Sequence, residues 1–319
     1  MDGQKTALAA AFHAGERDAQ ERAGVRAQME RVGAAVLRGY MPEQHREFFP
    51  LLPTLFAGAQ DGEGRLWASM LCGRPGFIRS PDPVSLRIDA RFDAHDPLAA
   101  ALSPGAQVGL LGLQFETRRR NRANGSIVAV DDAGFAFALR QSFGNCPKYI
   151  QKRELRVPGA LPAPLPDRSG GALLPPAALA LIARADTFFI ATAAEAAAGT
   201  AHGVDVSHRG GRPGFVQAAA SGDLSWPDFQ GNNFFNTIGN LLADGRAGLL
   251  FIDFEQGHLL QLSGHAEVVW RGAEVDAFPG AKRLLRFRTL RHVLRPHALP
   301  LRWTLVEPSP HLDATGAWR

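Results

Sequence analysis

VGLLGLQFE, residues 108–116, returns as AGLLFIDFE, residues 247–255. Two more anchors follow the same displacement. GRPGFI at residues 73–78 returns as GRPGFV at residues 211–216, and Arg74 and Arg212 stand 138 positions apart. Gly125, which ends RRRNRANG, matches Gly264 of LLQLSG at a spacing of 139. Three anchors in one order at nearly one spacing indicate an internal repeat, read here as an ancient tandem duplication. The stretch between the copies, VPGALPAPLPDRSGGALLPP at residues 157–176, has the Pro and Gly content of an extended linker.

Inside each copy the apolar runs are short and lie close to glycines, as strands do. LLFIDF, the turn EQG and HLLQLSGHAEVV predict a hairpin, while FFPLLPTLFAGA and TFFIATA predict the opening strands of the two halves. Helices are expected at residues 16–37, 97–102, 176–185 and 233–243. The expected organisation is an N-terminal helical segment (1–45), a first half (46–156), the linker (157–176) and a second half (177–319). The fold class is mainly β with some α. It consists of two small antiparallel barrels packed as a pseudo-twofold pair, the intramolecular equivalent of an isologous homodimer.

The 319 residues suit two domains of roughly 150 each. No apolar run approaches the ~20 residues of a membrane helix, and the N-terminus lacks a secretory signal pattern. Cys72 and Cys146 are the two cysteines and form no Cys-x-x-Cys pair, so a cytoplasmic protein without a disulfide framework or zinc ribbon is expected. The net charge of +4 rests on an arginine-rich excess, and arginine's rigid fork suits phosphate, on a small ligand or on nucleic acid. His202, His208, His258 and His265 lack metal-ligand spacing, so no metal site is expected.

RGGRPGFV, PDFQGNNFFNTIGNLLADGRAGLLFID and the hairpin ending LSGHAEV together resemble the FMN-binding split-barrel family related to pyridoxamine 5'-phosphate oxidase. FHAGE, TRRRNRANG and QSFGNCPKYIQ resemble its tandem flavin-nucleotide-binding branch. The resemblance implies two tandem split β-barrels with FMN at their interface. It implies that Arg212, Gly214, Phe215 and Val216 form a strand against the flavin ring. It further implies that Gly231, Asn232, Asn233, Asn236 and Thr237 form the phosphate loop and helix start, with Arg209 neutralising charge. Free amides at a helix start favour an anion there. The helix start reads Phe-Asn-Thr where many members carry basic residues, so arginines elsewhere must meet the phosphate.

From the first half, the resemblance implies a polar strand carrying Arg118, Arg120 and Arg122, and a flavin-facing pair, Gln141 and Ser142, with Lys148 and Arg153 adding charge. RRRNR by itself reads as a solvated basic strand. The second half holds the GNN loop and an apolar counterpart strand, whereas the first holds the arginines and no GNN segment. One composite FMN site per chain is therefore expected. Cys146 is read as a small buried turn residue, and the arginines of residues 283–303 as an exposed strand face.

The function implied is an FMN-dependent oxidoreductase of unassigned catalytic residues. It would act on a small-molecule substrate or take electrons from a separate reductase, without nucleic-acid or membrane partners, as a monomer or a homodimer. A flavin carrier or sensor and a haem-binding split barrel are the alternatives.

Overall fold

A computed structural model describes residues 11–156, 167–195 and 202–318. The fold is mainly β. The first sheet is built from β1 (Thr54–Gln60), β2 (Leu66–Cys72), β3 (Ile78–Arg79), β4 (Ser85–Ile88), β5 (Gln107–Gln114), β6 (Arg119–Val130) and β7 (Phe135–Gly144). After β8 (Lys152–Arg156) and β9 (Arg168–Gly170), the second sheet follows. Besides β9, its strands are β10 (Thr187–Ala194), β11 (Gly203–Gly210), β12 (Gln217–Ala218), β13 (Asp223–Asp228), β14 (Arg246–Ile252), β15 (Leu259–Val269) and β16 (Arg283–Arg295). A last strand, β17 (Arg302–Glu307), pairs with β8.

The main path of the first sheet runs β2-β1-β5-β6-β7-β4-β3, and that of the second β11-β10-β14-β15-β16-β13-β12. Each strand of one path thus has a counterpart at the same place in the other. The pairing is antiparallel throughout, and neither path closes on itself. The expected hairpin over residues 247–269 is β14 and β15.

The two sheets meet across a buried seam. Phe56 of β1 pairs with Leu111, and Phe189 of β10 pairs with Leu250, so the two phenylalanines hold matching positions. They stack on one another with ring centroids 3.7 Å apart. Leu111, Phe115, Val206, Leu250 and Phe254 complete this seam cluster, and each sheet keeps its own core on its far side. Backbones come close here: a Cβ on Gly109 would lie 2.7 Å from Val204 O, and one on Gly248 would lie 2.5 Å from Trp67 Cα.

The helices are α1 (Ala14–Arg22), α2 (Arg26–Val36), α3 (Glu43–Phe48), α4 (Pro176–Arg184), α5 (Asn236–Ala243) and α6 (Ala273–Ala277). Among the described residues none is long and apolar enough to cross a membrane. Several expectations are corrected. The single helix over 16–37 is broken between α1 and α2, where Gly24 adopts φ +69°. Residues 97–101 form turns and no helix, with Asp96 accepting from Leu98 N and held in a buried ion pair with Arg295. The helix expected from residue 233 begins at Asn236, since Asn233 and Phe235 both adopt φ +63°, outside the right-handed helical region. Of the stretch expected to be a linker, residues 157–166 lie outside the described residues. Within the rest, Arg168–Gly170 form β9, which pairs with β16, and Pro176 opens α4.

At the Gly248 seam position only backbone atoms stand in the way, so no rotamer change can relieve an added methyl. Gly248→Ala is expected to lower the unfolding free energy by about 1–3 kcal/mol. Gly62→Ala, where nothing lies within 4 Å, should leave it unchanged within about 0.5 kcal/mol. Urea unfolding followed by circular dichroism measures both.

Candidate functional site

A cavity of about 350 Å³ opens at one end of the seam, between β6, the loop after β7, β11, and the segment leading into α5. Its size falls in the range of small-molecule sites, roughly 300–1,000 Å³. Four arginines (Arg120, Arg122, Arg209, Arg283) and two lysines (Lys148, Lys282) line it against one carboxylate, Asp228.

β6 supplies Arg120 and Arg122, two apart and therefore on one face of the strand. Arg122 is buried. Its guanidinium pairs with Asp205 at 2.9 Å and donates to Asn236 Oδ1 at 3.1 Å and Ser207 Oγ at 2.6 Å. It thereby ties β6 of the first sheet to β11 and α5 of the second. Arg120 donates to the carbonyl of Cys146 at 3.0 Å, and Cys146 Sγ lies 4.0 Å from the same guanidinium. No acidic side chain pairs with Arg120 among the described residues. Burial lowers the Arg120 pKa to about 10, despite the opposing pull of Cys146.

On the opposite wall Asp228 holds two arginines, Arg209 at 2.8 Å and Arg283 at 3.5 Å. The Arg283 guanidinium lies over the rings of Phe235 and Trp270, a placement that leaves Nε and Nη1 without hydrogen bonds. Arg122 Nε, Arg209 Nε and Asn145 Oδ1 are likewise buried without partners. Unsatisfied groups at this density are uncommon in a folded interior.

The floor is the irregular run from Gly231 to Phe235 and the first turn of α5. Two left-handed non-glycine residues in three positions are a strained backbone, which characteristically occurs at ligand-binding segments. The run is held from behind by α1. Glu16 accepts from Asn236 Nδ2 at 2.6 Å, and Gln20 donates to Phe234 O at 3.2 Å. His13 hydrogen-bonds Asn240 at 2.8 Å. The helices cross where both are glycine, Gly15 and Gly239, since a Cβ on Gly239 would lie 2.5 Å from Glu16. The FHAGE motif is thus a clamp on α5, and Ala23 and Val25 beyond it reach the cavity wall.

His208 on β11 is 5% exposed and lines the cavity. Burial, reinforced by Arg120, Arg153 and Arg209, holds its pKa well below 6.5. Tyr149, with φ +63°, spans the mouth and donates to Gln230 O at 3.3 Å. Burial first, then the nearby Asp228, raises its pKa.

Of the residues expected at the site, Arg120, Arg122, Arg209, Phe215, Gly231, Asn232, Asn233, Asn236 and Thr237 line this cavity. Six lie elsewhere. Arg212 to Val216 is a turn closed by Phe215 N and Arg212 O at 2.9 Å, not a strand. Arg212 reaches Leu312 O, Gly214 stays outside the cavity, and Val216 belongs to the second core. Arg118 donates to Ile150 O and to the carbonyls of Glu307 and Pro308. Gln141 is opposite Asn124 within the sheet, and Ser142 faces His45 at 3.1 Å. The neighbouring loop contributes Asn145, Cys146, Lys148 and Tyr149 instead, because β7 ends at Gly144 and the chain turns across the seam. Arg153 pairs with Asp186 away from the lining. Arg283, read as part of an exposed face, is buried, while Arg286 and Arg288 farther along β16 are exposed as expected. Lys282 and Arg283 carried no motif, and Asp228 stood in PDFQGNN without an assigned role; only the pairing of β13 with β16 brings them together.

The matching place across the seam is occupied by a buried ion pair. Arg122 pairs with Leu111 as Gln261 pairs with Leu250, and Ser69 and Ser207 hold equivalent places on β2 and β11. Two residues beyond the matched pairs Arg122–Phe143 and Gln261–Val293 stand Asn145 and Arg295. On the closed side Arg295 enters the interior and meets Asp96 at 3.0 Å, and Ser69 and Gln261 donate to the same carboxylate.

No protein-family model matches the chain, and no curated protein matches it. Solved structures similar to it include HupZ of Group A Streptococcus, with 15% identity, 40% of this chain, 97% of that chain and a TM-score of 0.30. A putative pyridoxamine 5'-phosphate oxidase from Lactobacillus delbrueckii gives 13%, 38%, 93% and 0.28. An FAD-binding protein from Mesorhizobium loti gives 13%, 41%, 99% and 0.27. The functional reading rests on the cavity itself.

The His208 environment has a pH consequence. The unfolded chain takes up a proton near the ordinary histidine value of 6.5, whereas the folded chain resists it. His208 therefore contributes stability that is complete above pH 6.5 and is lost as pH falls below it. In NMR titration its ring signals are expected to stay those of neutral imidazole well below pH 6.5. A full titration step near 6.5 would contradict the burial argument.

Proposed function

We propose that this chain is a flavoprotein that holds one FMN in the cavity between its sheets and acts as an oxidoreductase. The observation that carries the reading is the cavity wall: cations from both sheets around a strained loop and helix start, with several buried guanidinium nitrogens unpartnered. A phosphate is the ligand group that this donor set fits. It accepts from the forked guanidinium donors, and it suits the free amides of the first turn of α5. Arg209, Lys282, Arg283 and the run from Gly231 to Thr237 would hold the phosphate. Arg120, Tyr149 and His208 would face the rest of the ligand.

When bound, FMN supplies hydride or electron transfer through its ring system. The protein's own part is to exclude water along the seam and to keep positive charge around the ligand. The repeated motifs and the equal strand orders support descent of the two halves from one duplicated unit. The closed counterpart, filled by Arg295 and Asp96, supports one ligand per chain. A small-molecule substrate or a separate reductase would complete the electron path.

The purified protein is expected to bind one FMN per chain with flavin absorbance near its usual visible maxima, and to bind riboflavin more weakly. Arg209→Ala and Lys282→Ala should each weaken FMN by about 10- to 100-fold, as loss of a charge-assisted hydrogen bond does. A second equivalent of bound flavin would contradict the single site. A Soret band in place of flavin absorbance would assign haem. Bound FMN that stays oxidised with every nicotinamide or reductase donor would mark a carrier or sensor.

A further inference from the structure

His208 differs from the polar residues of β6, β11 and α5 that surround it in the cavity. Arg120, Arg122, Arg209, Asn236 and Thr237 each have protein hydrogen-bond partners, whereas among the described residues His208 Nε2 is buried without one and no protein group hydrogen-bonds Nδ1. Its one ring neighbour is Phe189, edge-on at 5.7 Å between centroids, which offers no acceptor. A buried imidazole without partners is costly, and such groups commonly receive their partner from a ligand. The matching position on the closed side, in the same register on β2, is Met70. The polar ring thus stands on the side with the cavity and an apolar side chain on the side without it.

The missing partners have a chemical consequence. In most buried histidines the hydrogen bond at one ring nitrogen fixes which tautomer the other presents. Nothing fixes it here, and burial, reinforced by three arginines, keeps the ring neutral. A neutral imidazole of free tautomer can donate to a ligand atom or accept from it. We propose, on the FMN reading above, that His208 is the hydrogen-bond partner of a ligand ring nitrogen that accepts when the ligand is oxidised and donates when it is reduced. The tautomer follows the ligand: on reduction the ring nitrogen facing the ligand would give its proton to the ligand nitrogen while the other ring nitrogen takes one from solvent, so the net charge of the ring is unchanged.

The test uses the full chain, labelled with ¹⁵N at histidine and loaded with FMN, before and after reduction with dithionite. The His208 ring nitrogens are expected to shift on FMN binding and to exchange their protonated and unprotonated signatures on reduction. His208→Met should weaken oxidised and reduced FMN alike, by about 10-fold. His208→Gln, whose amide can also turn either way, should recover most of that loss. Should wild-type protein bind no FMN, the flavin reading and this assignment fall together. If FMN binds but the His208 nitrogens do not respond, or His208→Met binds it as wild type does, the assignment alone falls. A tautomer that stays fixed on reduction, with only one redox state weakened by His208→Met, also overturns it.

Discussion

The stack of Phe56 on Phe189 is the contact on which the rest of the molecule depends. The two rings hold matching positions in two sheets of equal strand order, so the contact lies where the halves are related to one another. It is dry and apolar, and glycines on either side let the backbones approach within side-chain distance. Nothing larger fits at those points. Once the seam is set, the opposite ends of the interface become two similar places, each walled by β6 or β15, by β2 or β11, and by the loop after β7 or β16.

Those two places have been resolved in opposite ways by few residues. On one side Arg295 reaches in to Asp96, whose carboxylate also accepts from Ser69 and Gln261, and the interior closes on its own charges. On the other, Arg122 turns to Asp205 and Ser207, Asn145 replaces the long arginine, and space remains. A buried ion pair is a weak source of stability but a strong filler, because removing one partner strands the other. The open side keeps more cations than carboxylates and leaves several guanidinium nitrogens unpartnered, where the closed side leaves one, Arg295 Nε. That imbalance is tolerable where an anionic ligand completes it.

Much of the architecture was legible because strands announce themselves locally. The runs around Leu110 and Leu249 and the glycines after them repeat in register, and both became neighbouring central strands. The GNN run and RRRNR were also readable, and Arg120, Arg122, Asn232 and Asn236 converge on one cavity. Gln141 and Ser142 were misplaced by only a few residues: the chain reaches the seam after Gly144, and sequence does not show where a strand ends relative to a surface formed by another strand. Arg212 to Val216 was misread because Arg-Pro-Gly also makes a tight turn, and here the turn prevails, with Phe215 folded back beneath Gly211.

The sequence by itself determined that this is a mainly β chain of two similar halves, because apolar periodicity and glycine spacing are properties of neighbouring residues. It also carried most of the polar inventory of the site. Only the tertiary structure decided which end of the seam is open, that Arg283 and Asp228 belong to it, and that His208 stands there without a partner. Those outcomes depend on contacts between residues far apart in the chain, such as Asp96 with Arg295 and Arg122 with Asp205. Their energies arise from burial and pairing, which exist only once the two sheets have met.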